Sequence, residues 1–143
     1  WKFAEYQFGL AMKWFEAGAS SNILWNLVLD ETGLSTGGWA QCSPIVIDTK
    51  SRKVIHTPYF HLYQHFSHFI EPGAHMLATV PEKHAAWGDR LAFVNPDGGV
   101  VIVVANRSDQ EHPLTLNIDG KRSGIVRIPA RSFSTFQLET TDH

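Results

Sequence analysis

This sequence of 143 residues contains little cysteine, only a small excess of one charge, and no long apolar run. Cys42 is the only cysteine, so an intramolecular disulfide framework is excluded. Twelve Lys and Arg against fourteen Asp and Glu give a formal charge of −2, which leaves no electrostatic footprint for nucleic acid. No apolar run reaches the roughly 18 residues that a membrane span needs, and no signal peptide is recognisable.

The composition that remains is that of a folded chain. Apolar residues make up 43% and charged residues 18%, which allows a buried core and argues against disorder. A complete (β/α)8 barrel needs roughly 250 residues and cannot fit. Because the helical pattern that starts at Trp1 has no N-cap residue ahead of it, we expect a cut piece of a longer polypeptide.

The chain divides near residue 73 into two regions of different pattern. Upstream, helical spacing predicts a helix over residues 1–17, and a near-continuous apolar run over residues 22–30 predicts a strand buried on both faces. A Gly-rich loop follows, then a hairpin and a second helix that begins at Pro58 with Thr57 as its N-cap. Downstream, closely spaced strands and turns predict a β-sandwich. The strand candidates there are residues 75–80, 90–95, 99–106, 112–118, 124–128 and 132–138.

Several strings of the sequence are specific. Residues 26–31 read NLVLDE, residues 43–48 read SPIVID, and residues 65–70 read HFSHFI shortly before Pro72-Gly73. In this order they resemble the C-terminal part of glycoside hydrolase family 30, the glucosylceramidase-like enzymes. The strings NPDG at 95–98 and VVANRS at 103–108 are similar to the terminal β-domain of that family.

The resemblance implies a retaining β-glycosidase with a (β/α)8 barrel and a β-sandwich. We therefore expect an α+β fragment in which residues 1–73 form the last βα unit of the barrel and residues 74–143 most of the sandwich. Retaining chemistry uses two carboxyl groups about 5–5.5 Å apart, one as nucleophile and one as acid and then base. In the family these are two Glu at the ends of the fourth and seventh barrel strands, and both would precede Trp1.

It follows that the isolated chain should be inactive, while the intact enzyme would hydrolyse a β-glucoside or a glycolipid. The resemblance implies no cofactor and no metal. It allows a lysosomal, secreted or periplasmic location, between which the sequence does not decide. A sandwich that lacks a strand would expose a sheet edge, from which we expect self-association of the isolated chain.

Two tryptophans are the candidate substrate contacts. The resemblance places Trp25 at the glycone subsite, where an indole face can stack on a sugar ring; the alternative is a core Trp. Trp39 lies in the Gly-rich loop, as either a substrate wall or a plug. Asn26 should point away from Trp25 and act structurally. Cys42 stands where some family members have an Asn that lines the pocket.

Two other groups of side chains are open to a chemical interpretation. Asp30 and Glu31 are adjacent carboxylates, but neighbouring strand side chains point to opposite faces, which favours solvation or capping over catalysis. His61, His65 and His68 share one helix face at a spacing that could bind zinc, with structural or surface histidines as the alternative. Of these, His61 and His68 replace residues that are commonly Tyr and Lys in the family.

The downstream region offers a rival function and a modification motif. A carbohydrate-binding or scaffolding β-module without catalysis would use exposed aromatics, and the candidates are Trp87, Phe93, Phe133 and Phe136. The triplet Asn106-Arg107-Ser108 is a glycosylation sequon, which has meaning only in a eukaryotic secretory setting.

Overall fold

Residues 1–79, 87–118 and 120–138 are described by the computed structural model. This part of the chain contains both helices and short strands, so the predicted α+β class is confirmed. The chain splits into two units, residues 1–68 and residues 69–143. None of the helices in the described ranges is long and apolar enough to cross a membrane.

The first unit consists of two helices and a three-stranded sheet. Its elements are α1 (Lys2–Glu16), β1 (Val28–Asp30), β2 (Ile45–Asp48), β3 (Lys53–His56) and α2 (Pro58–Ser67). Strand β1 pairs with β2 in parallel, with Val28 opposite Ile45. Strand β2 pairs with β3 antiparallel, which confirms the predicted hairpin.

The two helices of this unit pack against one another through part of their aromatic residues. Phe8 and Leu62 are fully buried, and the ring of Phe8 lies 5.7 Å from that of Phe66. Phe3 meets Tyr59 edge-on at a centroid distance of 5.1 Å. Such aromatic pairs supply both buried area and a preferred geometry, so they form the core of the unit.

The predicted end of α1 and the predicted start of α2 are confirmed with one difference, whereas α2 ends at Ser67 rather than at Pro72-Gly73 as its apolar residues predicted. Gly18 follows the C-cap of α1 with a left-handed φ of 90°, as a C′ glycine should. Thr57 is the N-cap of α2 and Pro58 its first residue, but Thr57 makes no side-chain capping bond. The Thr57 hydroxyl instead donates to the carbonyl oxygens of Ser43 and Pro44, each at 3.0 Å. These contacts connect the start of α2 to the start of β2.

The strand predicted over residues 22–30 is wrong in its length and its burial. Only Val28–Asp30 pairs with a neighbour, and Asn26 interrupts the run with a φ of 63°. Ile23, Trp25 and Leu27 are 90%, 81% and 58% exposed. A strand buried on both faces needs neighbours that cover it, and the described residues of this unit provide none on that side.

The second unit is built from short antiparallel strands. They are β4 (His75–Leu77), β5 (Gly88–Val94), β6 (Val100–Asn106), β7 (His112–Leu114), β8 (Asn117–Ile118), β9 (Lys121–Arg122), β10 (Val126–Ile128) and β11 (Ser132–Leu138). The four-stranded sheet has the order β11-β6-β5-β4, beside the pairs β10-β7 and β8-β9.

The core of this unit lies between the four-stranded sheet and the shorter pairs. Ala92, Ile102 and Val104 are buried, and Leu114 and Ile118 pack against them. Strand β6 is central and buried from its second residue onward, as its apolar sequence predicts. Sheet-on-sheet packing of this kind is that of a sandwich.

The turn predicted from the sequence at Asn95–Gly99 is present in the second unit. At the predicted hairpin turn, Gly98 N–H donates to the Asn95 carbonyl at 2.9 Å, and Gly98 has a φ of 87°. The candidate strand 112–118 is divided into β7 and β8, and β9 was missed. Val80, at the end of the first strand candidate, and Asp119, in a predicted turn, lie outside the described residues.

Candidate functional site

Trp25 and Trp39 are the two most exposed tryptophans of the chain, at 81% and 72%. Trp25 lies three residues before β1, rather than within the buried strand predicted over residues 22–30, because the run breaks at Asn26. Trp25 is therefore not a core residue of this unit, which was the alternative interpretation of its sequence position. Both indoles therefore present open faces on which a flat ligand could stack.

The loop that carries Trp39 is closed by backbone contacts at its base. Gln41 N–H donates to the Gly33 carbonyl at 2.8 Å, and Ser35 N–H donates to the Trp39 carbonyl at 3.0 Å. Gly33 has a φ of 63°, and a Cβ at this position would lie 2.6 Å from the Gln41 carbonyl oxygen. Only glycine fits at this position, so the two ends of the loop lie in close backbone contact.

Two asparagines hold the segment before β1 from its inner side. Asn22 Nδ2 donates to the Tyr63 hydroxyl at 2.8 Å, and Asn26 Nδ2 donates to Gln41 Oε1. Burial raises the pKa of Tyr63, so its hydroxyl stays neutral and accepts the bond. The residues between the two asparagines are thereby fixed to α2 at one end and to the Trp39 loop at the other.

The two carboxylates at the end of β1, Asp30 and Glu31, accept hydrogen bonds from residues of two neighbouring turns. Asp30 accepts from the Thr32 N–H at 2.9 Å and from the Thr32 hydroxyl, and these bonds lower the pKa of Asp30. Glu31 accepts from the Thr49 N–H at 2.9 Å and its hydroxyl at 2.7 Å, and the pKa of Glu31 is lowered for the same reason. Both groups are held ionised on separate partners, so they do not converge on one point.

A cavity of about 290 Å³ opens beside this pair. Its walls include Leu29, Glu31, Tyr59 and Cys42, whose thiol is exposed. The cavity is thus bounded by the end of β1, by the first residues of α1 and α2, and by the loop between β1 and β2.

The histidines of α2 are spread over different surroundings. His61 Nδ1 lies 2.9 Å from Gln64 Oε1, and the His61 ring stands edge-on to His56 at 6.3 Å. Burial lowers the pKa of His65, with the neighbouring His61 adding to the effect. Within residues 1–79, 87–118 and 120–138, no three His, Cys, Asp or Glu side chains are grouped closely enough to hold a metal ion.

Asn106, the first residue of the sequon, is the centre of a buried network. It is 1% exposed, and its Nδ2 donates to the carbonyls of Gln110 and Pro129, both at 2.8 Å, and of Ile128 at 3.3 Å. Its Oδ1 accepts from the Ser108 N–H at 3.0 Å. The amide nitrogen that would carry a glycan is therefore enclosed and occupied in the folded chain.

The aromatics proposed for a carbohydrate-binding module are built into the second unit. Trp87 is half-buried, packs against the core and stacks on His112. Phe93 is 4% exposed, and Phe133 and Phe136 are half-buried. These four side chains do not form an exposed row, so the described residues give no platform of the kind that such a module uses.

Sequence reasoning missed the residues that hold the site together. Gln41 carries no chemical signature, since its role depends on the course of the chain at Asn26 and Gly33. Gly33 lay within a recognised Gly-rich loop, and a glycine there is the one local signal of a close backbone approach.

Comparisons with known proteins agree with this description. Residues 87–136 match the glycosyl hydrolase family 30 beta sandwich domain. The chain is 34% identical over 96 residues to the lysosomal acid glucosylceramidase of Mus musculus, a match that covers 65% of this chain and 18% of that protein. It is 27% identical over 138 residues to the endo-1,6-beta-D-glucanase neg1 of Aspergillus fumigatus, covering 94% of this chain and 28% of that protein.

The fold has a solved counterpart as well. The structure of an endo-beta1,6-glucanase is similar with a TM-score of 0.75 and 24% identity, over 89% of this chain and 29% of that one. The chain thus spans less than a third of the length of each protein that it matches here. Residues 87–136 therefore match the β-sandwich domain of glycosyl hydrolase family 30, and the chain is similar in sequence to a glucosylceramidase and to an endo-1,6-beta-D-glucanase.

Proposed function

We propose that this chain is the C-terminal portion of a retaining β-glycosidase, in which residues 1–73 complete a (β/α)8 barrel. The observation that carries the proposal is the outward side of residues 21–27. Burial alternates along this segment, and its outward residues Ile23, Trp25 and Leu27 are apolar. Strands of a parallel barrel are covered on both faces, so this segment fits a barrel strand whose neighbours belong to the rest of the enzyme.

The break at Asn26 refines that proposal. Residues 22–25 would be the end of the eighth barrel strand, and β1–β3 would form a small sheet in the loop that follows it. Barrel enzymes bind substrate where strands end and loops begin. This supports Trp25 as a wall of the glycone subsite and Trp39, in the next loop, as a second substrate contact.

The substrate class is proposed from the relatives. Their names, a glucosylceramidase and an endo-1,6-beta-D-glucanase, support a β-linked glucoside or glycolipid as the substrate of the intact enzyme. An indole face can stack on the apolar face of a sugar ring, so two exposed tryptophans suit this class.

The chemistry itself would come from residues outside this chain. A retaining enzyme needs a nucleophile and an acid with a raised pKa, about 5–5.5 Å apart. Asp30 and Glu31 are held ionised by separate hydrogen bonds, and their pKa values are lowered rather than raised. We therefore expect that neither acts as the acid and that the isolated chain is inactive.

The test is hydrolysis of a fluorogenic β-glucoside by the purified chain, after cooperative unfolding has shown that the sample is folded. No turnover is expected. Turnover that is lost in Glu31→Gln but kept in Glu16→Gln, on the exposed end of α1, would overturn the proposal and make the carboxylate pair the site.

A further inference from the structure

The segment that carries Trp25 has its polar side chains on the inner side. Asn22 and Asn26 are half-buried and hydrogen-bonded, whereas Ile23 and Trp25 point outward. In an ordinary amphipathic strand the apolar residues would be the ones that pack inward. The two amides therefore help to hold this segment on its unit, together with Leu24, the half-buried apolar residue between them.

Asn26 contributes through its backbone as well as its side chain. Its φ of 63° lies in the left-handed region, which Asn tolerates better than other non-glycine residues. The chain turns at this residue, directly after Trp25. The course of the backbone directly after Trp25 thus depends on the conformation of Asn26.

Gln41, the partner of Asn26, belongs to the base of the loop that carries Trp39. Its side chain accepts from Asn26 Nδ2, while its backbone N–H donates to the Gly33 carbonyl at 2.8 Å. Gly33 packs against the Gln41 backbone so closely that no side chain fits between them. A movement of Gln41 would therefore be passed on to the loop and to Trp39, two residues before it.

We propose that the hydrogen bond from Asn26 to Gln41 is a positioning contact, which fixes Trp25 and Trp39 relative to one another. The sugar-binding consequence rests on the function proposed above for the two tryptophans. Loss of the bond should weaken binding of a β-glucoside by up to about tenfold, since a hydrogen bond of this kind contributes at most about 1.5 kcal/mol. Both indoles would still be present, but no longer held in one arrangement.

The contact is tested by 19F NMR of the chain labelled with 5-fluorotryptophan, with the resonances assigned from Trp25→Phe and Trp39→Phe. Gln41→Met keeps the length of the side chain and removes the acceptor, so both resonances should shift by more than their line widths. Gln41→Glu keeps an acceptor oxygen and should leave both near their original positions. Gln64→Met, the same change on the exposed face of α2, is the matched control and should move neither.

The result that overturns the proposal is a Gln41→Met spectrum in which the Trp25 or the Trp39 resonance is unmoved. Equal shifts in Gln41→Glu and Gln41→Met would also overturn it, because the acceptor would then be irrelevant. If Gln41→Met does not fold, Asn26→Gly decides the matter, since glycine keeps the left-handed φ and lacks only the amide.

Titration with methyl β-glucoside separates this contact from the proposed function. If the sugar moves neither tryptophan resonance in the native chain, the proposed sugar subsite fails, and the sugar-free spectra still judge the contact. If the sugar moves them in the native chain and binds equally well to Gln41→Met, the subsite stands and the positioning role is refuted.

Discussion

The indole of Trp87 lies flat on the imidazole of His112, with ring centroids 4.9 Å apart and planes 11° apart. His112 Nε2 in turn lies 2.8 Å from the Ser108 hydroxyl, which is 2.9 Å from Asn106 Oδ1. A continuous series of contacts therefore leads from the start of β5 to the end of β6. These contacts explain why Trp87, a candidate for carbohydrate binding in the sequence, is a structural residue of the second unit.

Asn106→Ala should destabilise the chain by about 2–3 kcal/mol, because it removes a buried side chain that donates to the carbonyls of Gln110, Ile128 and Pro129 and accepts from the Ser108 N–H. The measurement is the midpoint of urea unfolding. Asn117→Ala, at an exposed position of β8, is the matched control and should change the midpoint little. Equal effects of the two substitutions would show that the network contributes nothing beyond a surface amide.

Gly33→Ala and Gly9→Ala should change stability in opposite directions. At Gly33 the new Cβ would meet the Gln41 carbonyl oxygen at 2.6 Å with the backbone at a φ of 63°, which should cost about 1–3 kcal/mol. At Gly9, within α1, nothing lies within 4 Å, and alanine should stabilise by about 0.5–1 kcal/mol. Urea unfolding of the two variants measures both signs, and a harmless Gly33→Ala would mean that the loop base can open.

Acid should remove a contribution of Glu31 and Asp30 to stability. Folding lowers the pKa of both groups from their ordinary values of 4.5 and 3.8, so their stabilisation is fully present above those values and is lost as the pH falls through the lower folded-state pKa. The free energy of unfolding should therefore decline below about pH 4.5. Glu31→Gln should make the decline shallower, and Glu16→Gln should not. The same slope in all three proteins would contradict the assignment to Glu31.

The apolar residues that face outward before β1 offer a second surface for self-association of the isolated chain, besides the sheet edge expected from the sequence. Ile23→Lys places a charge among them and should lower the mass that light scattering gives at high concentration. Val54→Lys, at a residue of β3 that is 62% exposed, is the matched control. A monomeric native chain at high concentration would contradict this expectation.

Local signals in the sequence predicted the elements whose partners are close along the chain. The two helices, the β2–β3 hairpin and the turn at Asn95–Gly99 depend on capping residues, glycine and spacing within a few positions, and each was predicted. Strand β6 was predicted from its apolar run, because a central strand is covered from both sides.

The elements that were missed depend on distant residues. The run 22–30 has the composition of a covered strand, but Asn26 takes a left-handed φ, and its bond to Gln41 is invisible in a local pattern. The triplet at Asn106 was interpreted as a glycosylation sequon from its sequence alone. The burial of Asn106 could not be foreseen, because its three carbonyl partners come from segments up to 23 residues away. At the candidate site, the tryptophans were identified by resemblance, whereas the contacts that hold them required coordinates.

The enclosed amide of Asn106 bears on how the chain should be engineered for production in eukaryotic cells. A sequon is commonly erased by replacing its Asn, yet here that replacement would remove the donor to three backbone carbonyls. Ser108→Ala erases the same triplet and keeps those three bonds, as well as the bond from the Ser108 N–H to Asn106 Oδ1. The hydroxyl contacts of Ser108 with Asn106, Gln110 and His112 would be lost, but the buried amide would stay in place, so the hydroxyl residue is the less disruptive position at which to design out a glycan.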